Sequence, residues 1–428
     1  MNALPFGWTS VLIADVAHIV GGGTPPSKDE ECFAHPGQGV PWITPADLSG
    51  YRGQTISRGT RDLSTKGLAS CSAKVMPAGT VLFSSRAPIG YVAIASNPVT
   101  TNQGFKSFVL PEEIDSRFAY YQLKHIKPVA EALATGTTFK ELSGSAAAKL
   151  PFVVAPHLEQ KRIADKLDTV LTRVDAVNTR LARVAPILKR FRQSVLAAAT
   201  SGRLTEDWRA SSGLAPPKSA CLGDLIKVSS GDGLTAKEMQ SAGGIPVYGG
   251  NGVNGYHDAA NVCEPTIVIG RVGFYCGSVH LTPSSAWITD NALRVKFDGT
   301  VLDRSFLYYA LLGTDLRKNM SSTAQPVISG QKIYPLILKV PTSEEQAEIV
   351  RRVETLFAFA DRLEARLQTA QTATERLTPA LLAKAFRGEL VPQDPNDEPA
   401  SELLKRLATT ASSPTPKRGR KKSADAAA

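Results

Sequence analysis

The feature that most constrains this sequence is an internal repeat, in which similar residues recur 186 positions apart. A fixed offset between similar segments indicates that a structural unit has been duplicated. The matched residues are Gln160, Ile163, Leu167, Asp175, Leu181, Gly202 and Leu204 with Gln346, Ile349, Val353, Asp361, Leu367, Gly388 and Leu390, and Leu142-Ser143-Gly144 with Ile328-Ser329-Gly330. Two similar halves are therefore predicted.

The match weakens toward the front of each half. An offset of 188 pairs Thr101-Asn102-Gln103 with Thr289-Asp290-Asn291, and Phe118-Ala119-Tyr120-Tyr121 with Phe306-Leu307-Tyr308-Tyr309. Further forward, Ala14-Asp15-Val16 against Gly223-Asp224-Leu225 is only suggestive. Each half is predicted to have a divergent front of mixed strands and short helices, followed by a similar helical back.

The back of each half carries apolar residues at alternating steps of four and three, the spacing of a two-helix seam. The predicted seam consists of Ile163, Leu167, Val174, Leu181 and Leu188 in the first copy and Ile349, Val353, Leu363, Leu367 and Leu377 in the second. Pro186 and Pro379 are expected to kink or split these helices. Burial of each helix in its own domain is the alternative, but two copies in one register favour mutual pairing.

A helix over residues 163–199 would span about 55 Å, and the linker that follows could barely return along that length at about 3.3 Å per residue. Antiparallel pairing is therefore predicted. The expected fold is α/β (α+β), with two globular domains at opposite ends of a long antiparallel two-helix coiled coil and an approximate two-fold axis. The predicted segments are residues 1–155 and 221–340 for the two domains, 156–200 and 341–391 for the helical regions, 201–220 for a linker and 392–428 for a mobile basic tail.

Composition favours a soluble protein with a polyanionic partner. The 428 residues are 43% hydrophobic, enough for two or three folded units, and no long apolar run predicts a membrane span. Lys and Arg exceed Asp and Glu by ten, an imbalance that favours nucleic acid. The five cysteines are odd in number and widely spaced, which indicates reduced thiols and a cytoplasmic location.

No convincing catalytic or metal-binding motif is present. Gly250 to Gly255 fits a dinucleotide-binding pattern literally, but the following residues predict a strand instead of a phosphate-facing helix. Glu159 and Lys161 match a nuclease-like fragment, but a solvated first helical turn is the expectation. A nuclease or methyltransferase with an unrecognised active site remains the second hypothesis, and an interaction scaffold with incidental charge remains the third.

The fronts carry many hydrogen-bond donors that could contact phosphates or base edges. The DNA-binding candidates are Arg58, Arg61, Lys74, Arg86 and Lys106 in the first half and Asn251, Tyr256, Arg271 and Arg294 in the second. Arg86 and Arg271 follow a predicted strand at similar places in the two halves, which favours them over the others.

These features together resemble the specificity subunit of Type I restriction–modification systems. The resemblance covers essentially the whole chain. It is carried by three segments: Pro156 to Ile163 continuing to Leu188–Leu196, Leu377 to Leu390, and Ile245 to Tyr256, which looks like the start of one type of target-recognition domain.

The resemblance implies a noncatalytic subunit in which each front reads one half of a split, asymmetric double-stranded DNA target. It further implies docking of two modification subunits, which would bind S-adenosylmethionine and methylate adenine. Restriction subunits using ATP and Mg would then translocate and cleave. No cofactor is expected on this chain, and no Asn-Pro-Pro-aromatic or Asp-Pro-Pro-aromatic methyltransferase motif occurs in it.

Overall fold

The computed structural model describes residues 4–86, 88–136, 140–319 and 326–411. The chain divides into two compact units. Unit 1 consists of Met1–Asn178 and Thr372–Ala428, and unit 2 consists of Thr179–Gln371. The basic residues at 417–422 of the predicted tail lie outside the described part of the chain.

Unit 1 is built from short strands and helices followed by one long helix. Its strands are β1 (Thr9–Leu12), β2 (His18–Gly21), β3 (Phe33–Ala34), β4 (Val40–Ile43), β5 (Thr55–Ile56), β6 (Arg61–Leu63), β7 (Val81–Phe83), β8 (Val92–Ala95), β9 (Thr100–Thr101), β10 (Lys106–Val109) and β11 (Pro151–Val154). Its helices are α1 (Thr65–Ala69), α2 (Ser116–His125), α3 (Lys127–Leu133), α4 (Gly144–Ala148) and the start of α5 (His157–Ala182).

Unit 2 follows the same plan. After α6 (Val184–Ser201) and α7 (Glu206–Ser211), its strands are β12 (Lys218–Cys221), β13 (Ile226–Ser230), β14 (Ile245–Gly249), β15 (Gly252–His257), β16 (Ile267–Gly270), β17 (Val279–Leu281), β18 (Trp287–Ile288), β19 (Ala292–Phe297) and β20 (Ile337–Val340). The other helices are α8 (Leu222–Leu225), α9 (Arg304–Gly313), α10 (Gly330–Ile333) and α11 (Ser343–Ala385), with α12 (Ala400–Ala411) in the last part of unit 1.

The described residues of each unit form three separate sheets. In unit 1 the strand orders are β1-β11, β2-β10-β7-β8-β5 and β3-β6-β4-β9. In unit 2 they are β12-β20, β13-β19-β16-β17 and β15-β14-β18. The main core of unit 1 includes Phe83, Phe108, Phe118 and Phe152, and that of unit 2 includes Ile267 and Phe306. The second helical turns of α5 and α11 contribute Ile163 and Ile349 to these cores.

The two units repeat several strand pairings and hydrogen bonds. Thr9 pairs with Val154 in unit 1, and Lys218 pairs with Val340 in unit 2, at offsets of 209 and 186. The first of these offsets is the one that relates Ala14-Asp15-Val16 to Gly223-Asp224-Leu225. The side chain of Gln160 accepts a hydrogen bond from the Asp115 N–H (2.9 Å), and Gln346 does the same for Asp303 (2.7 Å). The divergent fronts therefore share part of their frame, while their larger sheets differ in strand number.

The two prolines of the long helical regions have different effects. Near Pro186 the helix is interrupted at Arg183, between α5 and α6, because proline has no N–H to bond the carbonyl one turn earlier. Pro379 lies inside α11, which continues to Ala385. The expected split is therefore absent in the second copy, where burial of Leu382 and Ala385 in the core of unit 1 stabilises the last helical turn.

Most but not all residues of the predicted seam are buried. Ile163, Leu167, Val174, Leu188, Ile349, Val353 and Leu367 are buried, and Leu181 and Leu363 are half-buried. Leu377 is 43% exposed, and the buried residues near it are Leu382 and Ala385. A straight helix of 3.6 residues per turn drifts away from a strict seven-residue repeat, which displaces the seam in this last section.

The segment after α11 differs from the expected mobile tail. Ala400 and Leu403 of α12 are buried in the core of unit 1, and the Ala400 N–H donates to the Gly7 carbonyl (2.8 Å). Asp397 accepts a hydrogen bond from Arg162 (2.6 Å). Residues 392–411 are polar in composition, but their few apolar side chains complete the core beside the N-terminal segment. No helix in the described ranges is long and apolar enough to cross a membrane.

Candidate nucleic-acid interface

Arg58 and Asp62 organise one surface loop of unit 1. The buried Asp62 carboxylate accepts hydrogen bonds from the N–H groups of Gly37 (2.7 Å) and Gly39 (3.3 Å) and from Arg58 Nη1 (3.1 Å). The Arg58 side chain is 39% exposed while that of Asp62 is fully buried. Arg58 thus compensates a buried charge and at the same time presents part of its guanidinium to solvent.

Arg61 is an exposed cation placed on an aromatic platform. Its guanidinium carbon lies 4.2 Å from the ring centre of Phe33 and 5.9 Å from that of Trp42. The two rings are 5.7 Å apart, and the Trp42 indole N–H donates to the Gly23 carbonyl (3.0 Å). Stacking of this kind fixes the plane of the guanidinium, so Arg61 is preorganised for a planar hydrogen-bonding partner such as a base edge.

Arg86 and Lys106 share one acidic partner. The carboxylate of Glu141 lies 3.5 Å from Arg86 Nη1 and 3.9 Å from Lys106 Nζ. Arg86 and Glu141 also form a backbone bridge, so the ion pair joins two chain segments. Lys74 is exposed and makes no ion pair with any residue that the structure describes. Of these three predicted DNA contacts, Arg86 and Lys106 already form ion pairs within the protein.

In unit 2, Arg294 on β19 pairs with Asp232. Hydrogen bonds from Arg294 and then Asn261 hold the pKa of Asp232 below its ordinary value. The Arg294 side chain is only 19% exposed. Arg294 is therefore more confined than a typical phosphate-binding arginine on a surface loop.

Arg271 lies at the end of β16, where its Nη1 donates to Ser230 Oγ (3.2 Å) and to the Asp290 carbonyl (3.3 Å). Its backbone accepts from the Ile328 N–H (2.8 Å), as Ser85 accepts from the Leu142 N–H (2.8 Å). Ser85 is therefore the position in unit 1 that corresponds to Arg271. Arg86 corresponds to Val272, one residue further on, so the two arginines occupy neighbouring and not identical positions.

Asn251 and Tyr256 belong to the β14–β15 hairpin. Asn251 is exposed in its turn, next to Gly252 with a φ of +88°. Tyr256 is half-buried opposite Pro246, and its backbone also pairs with Gln240. The glycines of this segment serve a tight turn between antiparallel strands. A dinucleotide site would require a strand, a turn and a helix, so that interpretation of Gly250–Gly255 does not apply.

The nuclease-like fragment forms a buried structural contact. Glu159 is 1% exposed and accepts a hydrogen bond from the Trp8 indole N–H (3.0 Å). At the equivalent position of unit 2, Glu345 is fully buried and accepts from Thr205 Oγ1 (2.7 Å) and Arg209 Nε (2.9 Å). The expected solvated turn was wrong, because the chain segments around residues 8 and 205 cover these carboxylates.

The residues missed by sequence reasoning are mainly the partners of the predicted arginines. Asp62, Glu141 and Asp232 neutralise part of their charge, and Phe33 and Trp42 orient Arg61. No sequence pattern indicated these partners, because Arg58 and Asp62 lie outside any helix and Glu141 is far from Arg86 in sequence. Among the described residues, no group of three His, Cys, Asp or Glu side chains could hold a metal ion.

Both units present arginines on strand ends and turns, a type of side chain that can contact phosphates and base edges. Residues 5–185 and 218–371 match the family described as the Type I restriction modification DNA specificity domain. The chain belongs to this family, and it is a noncatalytic DNA specificity subunit of a multisubunit Type I restriction–modification enzyme.

Relatives match nearly the whole chain. It is 30% identical to the Type I restriction enzyme StySPI specificity subunit of Salmonella potsdam, over 91% of this chain and 90% of that protein. It is 29% identical to the EcoKI specificity subunit of Escherichia coli strain K12, over 98% of this chain and 99% of that protein. A solved chain from a study of assembly and conformational transition of the type I R-M system has the same fold. The TM-score is 0.66 at 17% identity, over 91% of this chain and 100% of that chain.

Proposed function

We propose that the two units read two separate halves of one DNA target, and that each unit contributes its own recognition surface. The observation that carries this proposal is the repeated set of hydrogen bonds in two units whose exposed loops differ. A repeated frame with divergent loops suits two readers that are positioned alike but read different bases. The target is therefore asymmetric and contains an unread spacer.

The proposal is tested by mapping methylated adenines in a host that expresses the chain with its modification subunit. The expected motif consists of two specified blocks separated by a gap of fixed length and unspecified sequence. Deleting the gene for this chain should abolish methylation at that motif. A single continuous motif, or methylation that persists without the chain, would contradict the proposal.

The long helices are proposed to pair antiparallel as a coiled coil that fixes the distance between the readers. Contacts inside each unit support this direction. In unit 2, Arg192 of α6 pairs with Asp361 (2.5 Å) and Glu364 (2.9 Å) of α11, and further along the chain Arg209 pairs with Glu345. As the chain proceeds from Arg192 to Arg209, the paired residues on α11 thus lie closer to its N-terminus.

Unit 1 supports the same direction, since Ile163 and Leu167 near the start of α5 belong to the same core as Leu382 and Phe386 near the end of the second helical region. A pairing of this kind gives the chain an approximate two-fold axis and two similar docking surfaces. The proposed partners are therefore double-stranded DNA, two modification subunits and restriction subunits. S-Adenosylmethionine would be bound by the modification subunits, and ATP and Mg by the restriction subunits. The proposed cytoplasmic location rests on the cysteine pattern alone.

Replacing Arg86 or Arg271 by alanine is expected to weaken binding of the target by the assembled complex, by about 1–3 kcal/mol for a base contact. The measurement is a titration of labelled target duplex at several salt concentrations. A base-reading arginine affects mainly the specific target, while a phosphate contact lowers the salt dependence by about one counterion. Arg351→Ala, a change at a 65% exposed arginine on α11, is the control. Unchanged affinity at both positions would remove them from the interface.

A further inference from the structure

Unit 2 displays an exposed aromatic pair at the tip of the turn between β16 and β17. Phe274 is 82% exposed and Tyr275 is 47% exposed. Their rings meet edge to face with centres 5.1 Å apart. A phenyl group this exposed gains nothing from the core of its own unit, so the turn presents apolar surface toward solvent.

The turn that carries Phe274 is firmly held. Gly273 and Gly277 have φ values of +78° and +84°, which allow the chain to reverse. Gly277 N–H donates to the Gly270 carbonyl (2.8 Å), and Gly273 N–H donates to the Pro326 carbonyl (3.1 Å). The ring at the tip is therefore displayed by a preorganised backbone, which lowers the entropic cost of inserting it into a partner.

Basic side chains surround the base of this turn. Arg317 donates from Nη2 to the Phe274 carbonyl (2.7 Å) and from Nε to the Cys276 carbonyl (2.5 Å). Lys332 donates to the Val327 carbonyl (2.9 Å), and Arg271 begins the turn. An exposed ring with cations at its base is complementary to a partner that is anionic outside and apolar inside. Stacked bases between two phosphate backbones have this character.

We propose that Phe274 inserts between neighbouring base pairs of the half-site that unit 2 reads, as a wedge that unstacks one step. Apolar side chains that enter a duplex in this way distort the base stack, and the cost depends on the step being opened. The wedge thus adds specificity at a step that needs no hydrogen bond to the protein. The proposal rests on the proposed DNA-reading function of unit 2.

The corresponding segment of unit 1 carries no aromatic residue in its sequence. It is bounded by Ser85 and Tyr91, which match Arg271 and Ser278 by their hydrogen bonds. The intervening residues are Arg86-Ala87-Pro88-Ile89-Gly90 in unit 1 and Val272-Gly273-Phe274-Tyr275-Cys276-Gly277 in unit 2. The distortion is therefore expected in one half of the target only.

The experiment uses the complex of this chain with its modification subunits and a duplex that carries the mapped methylation target. 2-Aminopurine replaces one adenine at a time in each half-site, except the adenines that are methylated, because a methyltransferase extrudes its target base from the stack. Its fluorescence reports unstacking. With the original chain, one step in a single half-site should brighten on binding. Phe274→Ala should abolish that signal and raise the Kd for the target about tenfold or more, with binding to unrelated duplex unchanged. Phe274→Trp should retain the signal.

Phe6→Ala is the matched control, because Phe6 is a 77% exposed phenylalanine of unit 1; it should leave the fluorescence and the Kd unchanged. Equal fluorescence and equal Kd for the original chain and Phe274→Ala would overturn the wedge. Loss of the modification subunits from Phe274→Ala in gel filtration would also overturn it and assign the ring to a protein contact. A complex that fails to bind the mapped target in its original form would overturn the DNA-reading function itself.

Discussion

A seven-residue insertion in both long helices is expected to lengthen the spacer that the complex accepts by about three base pairs. Seven residues extend a helix by about 10 Å, and base pairs are about 3.4 Å apart along the duplex. The insertions follow Asn178 in α5 and Gln371 in α11, where the two compact units divide, so that the contacts within each unit are kept. Duplicating residues 172–178 and 365–371 preserves the spacing of apolar positions.

The measurement is binding of the assembled complex to a panel of duplexes whose spacers range from the original length to six base pairs longer. Because a longer spacer also rotates one half-site around the duplex axis relative to the other, the panel varies this rotation together with the length. Seven residues inserted after Gly213, an exposed glycine with a φ of +64°, form the control and should leave the preferred spacer unchanged. If the doubly extended chain still prefers the original spacer, the paired helices do not set it.

Glu345→Gln is expected to destabilise unit 2 by about 3–5 kcal/mol, the usual cost of removing one partner of a buried ion pair. The substitution leaves the guanidinium of Arg209, whose side chain is 14% exposed, without its carboxylate. Glu159→Gln, at the equivalent position of unit 1, should change the stability by less than about 1 kcal/mol at neutral pH. The donor to Glu159 is the neutral indole N–H of Trp8, and the oxygen of a glutamine can still accept that hydrogen bond.

These variants are compared by chemical denaturation of the full chain. Hydrogen exchange at residues 343–357 then assigns the loss to unit 2, since a chain of two units need not unfold in one step. Glu389→Gln removes a surface partner of Arg387, with both side chains nearly half exposed, and should leave the stability almost unchanged. Similar losses for Glu345→Gln and Glu159→Gln would contradict the different roles assigned to the two carboxylates.

The contribution of Glu159 to stability should also depend on pH. Burial raises the pKa of Glu159 above its ordinary value, so the folded chain binds this proton more tightly than the unfolded chain. The contribution of Glu159 to stability therefore increases as pH falls from neutral through its raised pKa and levels off below the ordinary value near 4.5. The difference in stability between the original chain and Glu159→Gln should follow this direction, and a difference that stays constant over that range would contradict it.

The presence of the two long helices could be predicted because local residue patterns indicate it. The four-and-three spacing of apolar residues indicated the helices, and the offset of 186 indicated that both copies are built alike. Leu377 shows the limit of such patterns. It fits the repeat, yet it is exposed because the seam moves to Leu382 and Ala385, which pack into the core of unit 1.

The sequence predicted which types of residue form the candidate interface, but not which of them are ion-paired within the protein. Arg58, Arg86, Lys106 and Arg294 were identified as cations, and the structure pairs each with a carboxylate. Glu141 lies 55 positions from Arg86 in the sequence, so no local pattern links them. Their contact with DNA stays a prediction, and binding would have to compete with these ion pairs.

By itself the sequence determined the duplication, the helical backs, the family resemblance and the list of cations. Local propensity and periodicity encode such features within a few helical turns or between aligned copies. Only the tertiary structure decided which charges are compensated, which ring of the β16–β17 turn faces solvent, and that Glu159 and Glu345 are buried. Burial and ion pairing depend on segments that meet through folding, and their separation along the chain carries no signal of that contact.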